Sequence, residues 1–161
     1  MKFLFAIILL CGVLFSSCFT SPSPEKSAIQ VHAFRLKPGE DLLNAIQHYV
    51  QTKSIRAGWV ATCVGSLTDY NIRPANSQQL MNGKGHFEIV SLVGTLSKDG
   101  PHLHLSISDS TGKTIGGHLM QGCKVYTTAE VVLQSTGHFI FKRAVDGTTP
   151  WDELQVEEAV H

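Results

Sequence analysis

Residues 101–120 read P-H-L-H-L-S-I-S-D-S-T-G-K-T-I-G-G-H-L-M and predict a β-hairpin. Apolar and polar side chains alternate along its first half, which is the period of a strand with one buried face. Gly112 suits the left-handed position of a three-residue loop after Asp109, because glycine adopts a positive φ without steric penalty. This loop places His104 opposite His118.

The register of the hairpin can be checked on its other face. The same alignment pairs Ile107 with Ile115 and Leu103 with Leu119, so apolar side chains meet there. A slip of one residue would turn each of these side chains to the opposite face and destroy the match. The hairpin is therefore predicted with a single register.

Three histidines share the polar face of this hairpin. His102 lies diagonal to His118 and His104 lies directly opposite it, at Cβ separations of about 7 Å and about 5 Å. Three imidazoles at this spacing can bind one ion at about 2.1 Å, so His102, His104 and His118 are the predicted metal ligands. We expect a divalent metal, with zinc favoured, although imidazole also suits copper, nickel and iron. The alternative is three partly exposed histidines with ordinary hydrogen bonds.

Two glycines precede the third histidine. Gly116 and Gly117 predict a close approach to the backbone and open space beside His118.

Composition predicts one globular domain without a nucleic-acid surface. The chain has 161 residues, of which 43% are hydrophobic and 16% charged, so a single sizeable core is expected. Thirteen basic residues balance thirteen acidic ones. Nucleic-acid or anionic-membrane binding normally requires a basic excess, so neither partner is expected.

The first twenty residues resemble a secretory signal peptide. Lys2 precedes an apolar run from Phe3 to Phe15, and small residues follow at 16–18. The run is shorter than the roughly 20 residues that a membrane-spanning helix needs, so no stable membrane span is expected. We therefore predict a signal peptide over residues 1–20, a linker over 21–27, and a secreted or extracytoplasmic protein.

The cysteines leave two questions open. Cys18 follows Leu14 to Ser17 in a sequence that loosely resembles a bacterial lipoprotein box, so lipidation at Cys18 is an alternative to simple cleavage. Cys63 and Cys123 remain in the mature chain, where they could form one disulfide in an oxidising compartment. The alternative is two buried thiols that behave as small hydrophobic side chains.

The rest of the chain predicts an α+β fold over residues 28–145. Pro38-Gly39 leads into the main helix, Glu40 to Ile55, whose first turn holds Glu40 and Asp41. Short β-branched runs with turn residues between them predict a largely antiparallel sheet of seven or eight strands that packs against this helix. The predicted strands are Ala28 to Phe34, Trp59 to Val64, Thr68 to Ile72, His86 to Leu96, Leu103 to Ser108, Thr114 to Met120, Lys124 to Leu133 and His138 to Arg143. Residues 146–161 are predicted to form a peripheral acidic tail.

Four motifs together resemble the PPC (plants and prokaryotes conserved) domain family, also called DUF296. They are the segment from Gly85 to Leu96, H-L-H-L from His102, G-G-H-L from Gly116, and Tyr126 to Val131. The resemblance covers about residues 29–143. It implies an α+β domain that assembles as a homotrimer, with the histidine-bearing hairpin near a subunit boundary. It also implies that the two histidines of H-x-H and the one of G-G-H-L are metal ligands. These are the same three residues that the hairpin register predicts.

The DNA-binding role of the plant members is not expected here. Those proteins carry an AT-hook with an R-G-R-P core, which this sequence lacks. Their partner-binding segment Gly-Arg-Phe-Glu-Ile-Leu is replaced by Gly85 to Val90, with His86 in place of the arginine. The resemblance therefore indicates a stand-alone member.

Other polar residues are weaker candidates for a role in the site. Glu130 is the candidate general base if the protein is an enzyme, and further candidates on neighbouring strands are Glu88, Thr127 and Thr128. Arg56 and Arg73 could bind an anion beside the metal. The remaining histidines lack a spaced partner and are expected to have no special role: His32, His48, His86, His138 and His161.

Three functions remain possible. The favoured one is a secreted homotrimer that binds a divalent metal and a small ligand at its open fourth position, as in zinc sites with three protein ligands. The first alternative is a metal-dependent hydrolase that acts on a small carbonyl or carboxylate compound. The second alternative is a protein-interaction scaffold.

Overall fold

The computed structural model describes residues 28–160, which form eight strands and one helix. The predicted signal peptide and linker lie outside the described residues, as does His161. The elements are β1 (Gln30–Leu36), α1 (Leu42–Thr52), β2 (Gly58–Arg73), β3 (Met81–Leu96), β4 (His102–Ser108), β5 (Thr114–Leu119), β6 (Lys124–Ser135), β7 (Phe139–Val145) and β8 (Asp152–Glu158). The predicted α+β class with a largely antiparallel sheet is confirmed.

The strands form one large sheet and one small one. The large sheet has six strands in the order β1-β6-β2-β3-β4-β5, and β5 also pairs with the end of β2. Every strand pair is antiparallel. The extra pairing closes a ring of β2, β3, β4 and β5, which places the histidine hairpin against the end of β2. Strands β7 and β8 form the second sheet.

The helix packs its apolar face on the sheet and is shorter than predicted. Leu42, Ile46 and Val50 are buried against the core. The predicted helix includes Asp41 in its first turn, but Asp41 is instead the N-cap, with φ −88° and ψ 122°. Its carboxylate accepts a hydrogen bond from the Asn44 backbone at 3.1 Å, and thus satisfies an amide that the first turn leaves unpaired.

Two predicted strands are one strand in the structure. Trp59 to Val64 and Thr68 to Ile72 both belong to β2, which continues through Gly65 with register shifts against β6. A Cβ on Gly65 would overlap the backbone of the neighbouring strand at Thr128. The glycine that resembles a strand break is therefore needed for a close approach between strands at an irregularity.

The segment predicted as a tail contains strand β8. Its residues pair with β7 from Val145↔Asp152 to Phe139↔Glu158. Leu154 and Val156 alternate with polar residues along it, which is the period of a strand. This pairing brings the beginning of β8 close to the histidine hairpin.

The two cysteines of the described domain are buried free thiols. Burial raises the pKa of the Cys63 thiol to about 12 and that of Cys123 to about 11. Cys123 accepts a hydrogen bond from the Asn71 backbone at 3.2 Å. The structure therefore corresponds to the buried-thiol alternative. Within residues 28–160, no helix is long and apolar enough to cross a membrane.

Candidate metal centre

The hairpin of β4 and β5 has the predicted register. His104 lies opposite His118, and Ile107 lies opposite Ile115. The loop closes where the Asp109 amide donates to the Lys113 carbonyl at 3.0 Å, and Gly112 has φ 83°. The local signals of alternation and turn type were therefore sufficient to align the histidines.

The hairpin brings the imidazoles of His102, His104 and His118 together. Their ring centroids are 4.9 Å apart for His102 and His118, 5.1 Å for His102 and His104, and 5.7 Å for His104 and His118. One ligand nitrogen of each ring lies within 4.8 Å of the other two. Tetrahedral coordination at about 2.1 Å requires nitrogens about 3.4 Å apart, so small ring rotations would complete a metal site.

His118 has the properties of a metal ligand. Its Nδ1 atom is buried and has no hydrogen-bond partner among the described residues. Buried polar atoms normally have a hydrogen-bond partner, and a metal ion bound at this ring would account for the exception.

The surroundings of the cluster also favour neutral rings. Burial, the neighbouring His102 and the Arg73 guanidinium lower the pKa of His118 to about 4. Burial and the Arg143 guanidinium also lower the pKa of His102. Both rings are thus neutral at pH 7, as metal coordination requires.

The two glycines before His118 allow the predicted close approach to the backbone, but they do not leave the predicted open space. Strand β5 pairs with β2 here, with Arg73 opposite His118. A Cβ on Gly117 would lie 2.6 Å from the Arg73 carbonyl oxygen, and one on Gly116 would lie 2.8 Å from that of Leu105. The close approach that they predict is therefore present. However, the neighbouring strands occupy that space, and the opening beside His118 lies elsewhere.

That opening is a cavity of about 390 Å³ beside His102 and His118. Arg73 from β2 and Arg143 from β7 line it together with residues at the beginning of β8. The Arg73 guanidinium lies over the Trp151 ring, 5.5 Å from its centroid. The cavity could therefore admit a small molecule to the coordination sphere of an ion at the three histidines.

The candidate base Glu130 is not brought to this cluster. It pairs with Val64 on β2, whereas His118 pairs with Arg73 on the same strand. Val64 and Arg73 are nine residues apart, which is about 30 Å along an extended strand. Glu130 instead lies opposite Arg35 of β1.

The other weaker candidates also lie elsewhere, except for Arg73. Glu88 pairs with Ser66, whose hydroxyl is 2.9 Å from the Thr127 hydroxyl. The Thr128 hydroxyl accepts a hydrogen bond from the Arg35 Nε atom at 2.8 Å. Arg56 lines two other cavities, neither of which includes one of the three histidines. Among these candidates, only Arg73 lies at the site.

The remaining histidines have other surroundings. The His32 ring nitrogen hydrogen-bonds the Ser135 hydroxyl at 2.8 Å, and His86 stacks on Tyr126 at 4.2 Å between centroids. His138 lies edge-on to Phe139, and His48 is exposed on α1. Within residues 28–160, the only group of histidine, cysteine or acidic side chains found at metal-binding spacing is the cluster on the hairpin.

Arg143, Trp151 and Glu153 belong to the site but were not predicted from the sequence. Arg143 lines the cavity from β7, Trp151 from the residue before β8, and Glu153 from β8 itself. The alternation of Leu154 and Val156 was the available signal for β8. That signal could indicate a strand, but only the pairing with β7 shows that the strand reaches the histidines.

Comparison with known proteins identifies a family. The profile of the Plants and Prokaryotes Conserved (PCC) domain matches residues 23–137. The bifunctional protein GlmU of a Synechococcus strain is 39% identical over 137 residues, which are 85% of this chain and 22% of that protein. This chain thus spans about a fifth of the length of the curated relatives it matches.

Two solved structures have the same fold. A hypothetical protein from Salmonella enterica has a TM-score of 0.81 and 39% identity, over 83% of this chain and 97% of that one. A metal-containing protein from Archaeoglobus fulgidus has a TM-score of 0.64 and 23% identity, over 78% of this chain and 93% of that one. The motifs in the sequence, the family profile and the fold therefore agree.

Proposed function

Since this chain belongs to the Plants and Prokaryotes Conserved domain family, we propose that it is an exported, homotrimeric metal-binding protein. Each chain binds one divalent ion through His102, His104 and His118, and a small ligand occupies the open position. The observation that carries this proposal is the convergence of three imidazoles, one with a buried nitrogen that lacks a partner.

Zinc is the ion that we propose for this ligand set. All three ligands are imidazoles, and three protein ligands leave the fourth tetrahedral position for water or a small molecule. The Archaeoglobus fulgidus protein of the same fold is described as metal-containing, which supports a metal in this family member. When bound, the ion would supply a Lewis acid and an open coordination site.

Within one chain, the hydrolase alternative lacks its predicted base. A general base must reach the proton it removes directly or through one water molecule. The pairing of Glu130 with Val64 and Arg35 keeps it far along the sheet from the histidines. We therefore propose binding of metal and ligand, without a catalytic role for Glu130.

Export and trimer formation rest on separate features. Export is supported by the basic residue, apolar run and small residues of the predicted signal peptide over 1–20. Trimer formation is supported by the family resemblance and by large apolar side chains that are exposed on three neighbouring strands of the large sheet, β6, β2 and β3. These side chains are Val64, Val90, Val93 and Tyr126.

The metal proposal is tested by elemental analysis of protein purified without a metal-binding tag, then incubated with zinc and desalted. We expect about one zinc per chain for the native protein and for His48→Ala, whose histidine is exposed on α1. The His104→Ala and His118→Ala variants should each lose most of the zinc, because two imidazoles seldom retain it. Full zinc content in these variants, or none in the native protein, would contradict the proposal.

A further inference from the structure

We propose that the cavity beside His102 and His118 binds a small monocarboxylate. Arg73 and Arg143 hold its negative charge, and a second oxygen of the same molecule, such as a hydroxyl or keto group, reaches the metal. This inference rests on the proposed metal site and names the class of ligand that occupies its open position. Three features support it: the placement of each arginine and the charge of the site.

Arg73 is positioned by strand pairing next to one of the ligands. It lies directly opposite His118 on the neighbouring strand, and residues opposite each other in an antiparallel pair project from the same face. Its guanidinium rests over Trp151, which orients the planar group. Within residues 28–160, no carboxylate forms an ion pair with Arg73.

Arg143 is positioned on the other side of the cavity. Its Nη2 atom donates to the Thr95 hydroxyl at 3.3 Å, and Thr95 lies opposite His102. Its Nη1 atom donates to the Asp152 backbone carbonyl at 3.1 Å. In the described part of the chain, this guanidinium also has no carboxylate partner. Two guanidinium groups therefore flank the two histidines that line the cavity.

The charge of the site favours an anion in the cavity. Imidazole ligands would leave the charge of a divalent ion uncompensated. With that ion, the two guanidinium groups and the three carboxylates that line the cavity give the site a net charge of about +1, which favours a monoanion. Guanidinium groups bind carboxylates through paired, charge-assisted hydrogen bonds.

The acidic residues of the cavity limit the charge of that anion. Asp99, Asp152 and Glu153 also line it. Asp99 accepts a hydrogen bond from the Arg143 backbone, and Glu153 accepts one from Thr149. Their negative charges would repel a phosphate dianion more than a monocarboxylate. The cavity volume of about 390 Å³ also matches a small molecule.

The test is calorimetric titration of zinc-loaded protein with lactate, with neutral lactamide and with inorganic phosphate. Lactate and lactamide differ mainly in the carboxylate, so the pair isolates its contribution. The variants are Arg73→Met and Arg143→Met, which keep an apolar stem but remove the charge. Arg56→Met is the matched control, because Arg56 is not among the residues that line this cavity. Zinc content and thermal unfolding are measured for each protein.

We expect lactate to bind at least tenfold more tightly than lactamide or phosphate. Arg73→Met should retain zinc and lose at least tenfold in lactate affinity, whereas Arg56→Met should bind lactate normally. If Arg143→Met unfolds, Arg143→Lys is measured in its place, and it should retain part of the lactate affinity because lysine keeps the positive charge. Equal binding of lactate and lactamide, tighter binding of phosphate, or full lactate affinity in Arg73→Met would overturn the inference. Absence of zinc from the native protein would instead overturn the proposed function.

Discussion

A single imidazole, that of His118, links the fold of this protein to its stability against acid. Its pKa is about 4 in the folded chain, against 6.5 for a free side chain, mainly because burial disfavours the charged ring. The folded state therefore binds this proton more weakly than the unfolded state. The stability from the neutral ring is fully present above about pH 6.5 and is lost as the pH falls toward 4.

This linkage predicts how the metal-free protein responds to pH. We expect its free energy of unfolding, measured by urea titration, to fall between pH 7 and pH 5. The fall should be smaller in His118→Gln, which cannot titrate, and unchanged in His48→Gln, whose side chain is exposed. His102 and His32 also have lowered pKa values, so the free energy of unfolding of His118→Gln should still fall in part. An identical fall in His118→Gln and the native protein would contradict this role of His118.

The contact between β3 and β4 depends on one glycine. Gly94 has φ 145° and lies opposite Leu103, and a Cβ there would overlap the His102 carbonyl oxygen. We expect Gly94→Ala to destabilise the protein by at least about 2 kcal/mol in urea titration, because backbone must move. Gly100→Ala is the control, since Gly100 has φ 127° with nothing within 4 Å. Its cost should be about 1 kcal/mol, and equal costs would contradict the steric explanation.

The accuracy of sequence-based prediction also differs between elements, for a physical reason. The hairpin of β4 and β5 is specified locally, by alternation and by the loop at Gly112, so its register follows from the sequence. Strand β2 is not specified locally, because its irregularity at Gly65 is stabilised by pairing with β6, a strand more than fifty residues away. The start of α1 is misplaced for a similar reason, since Asp41 also accepts a hydrogen bond from the Gly122 amide at 2.7 Å.

Across the whole molecule, the candidate site combines distant parts of the chain. For this reason, only some of its residues could be predicted from the sequence. The three histidines lie within one hairpin and could be identified from it. The second arginine and Trp151 come from β7 and the segment before β8, and only tertiary structure brings them to the cavity. A strand pattern alone does not show which surface that strand will join.

Assembly into a trimer is the prediction that involves the whole molecule. Val93 is 55% exposed and lies opposite His104, so it projects from the hairpin face that the family resemblance places near a subunit boundary. We expect light scattering to give about three times the mass of one chain for the native protein. Val93→Glu should shift this mass toward that of one chain, because an interface that buries a carboxylate without a partner is destabilised. Val156→Glu is the matched control, since Val156 is also 55% exposed but lies on β8 of the small sheet. A native protein with the mass of one chain, or an unchanged trimer in Val93→Glu, would contradict an interface at this face.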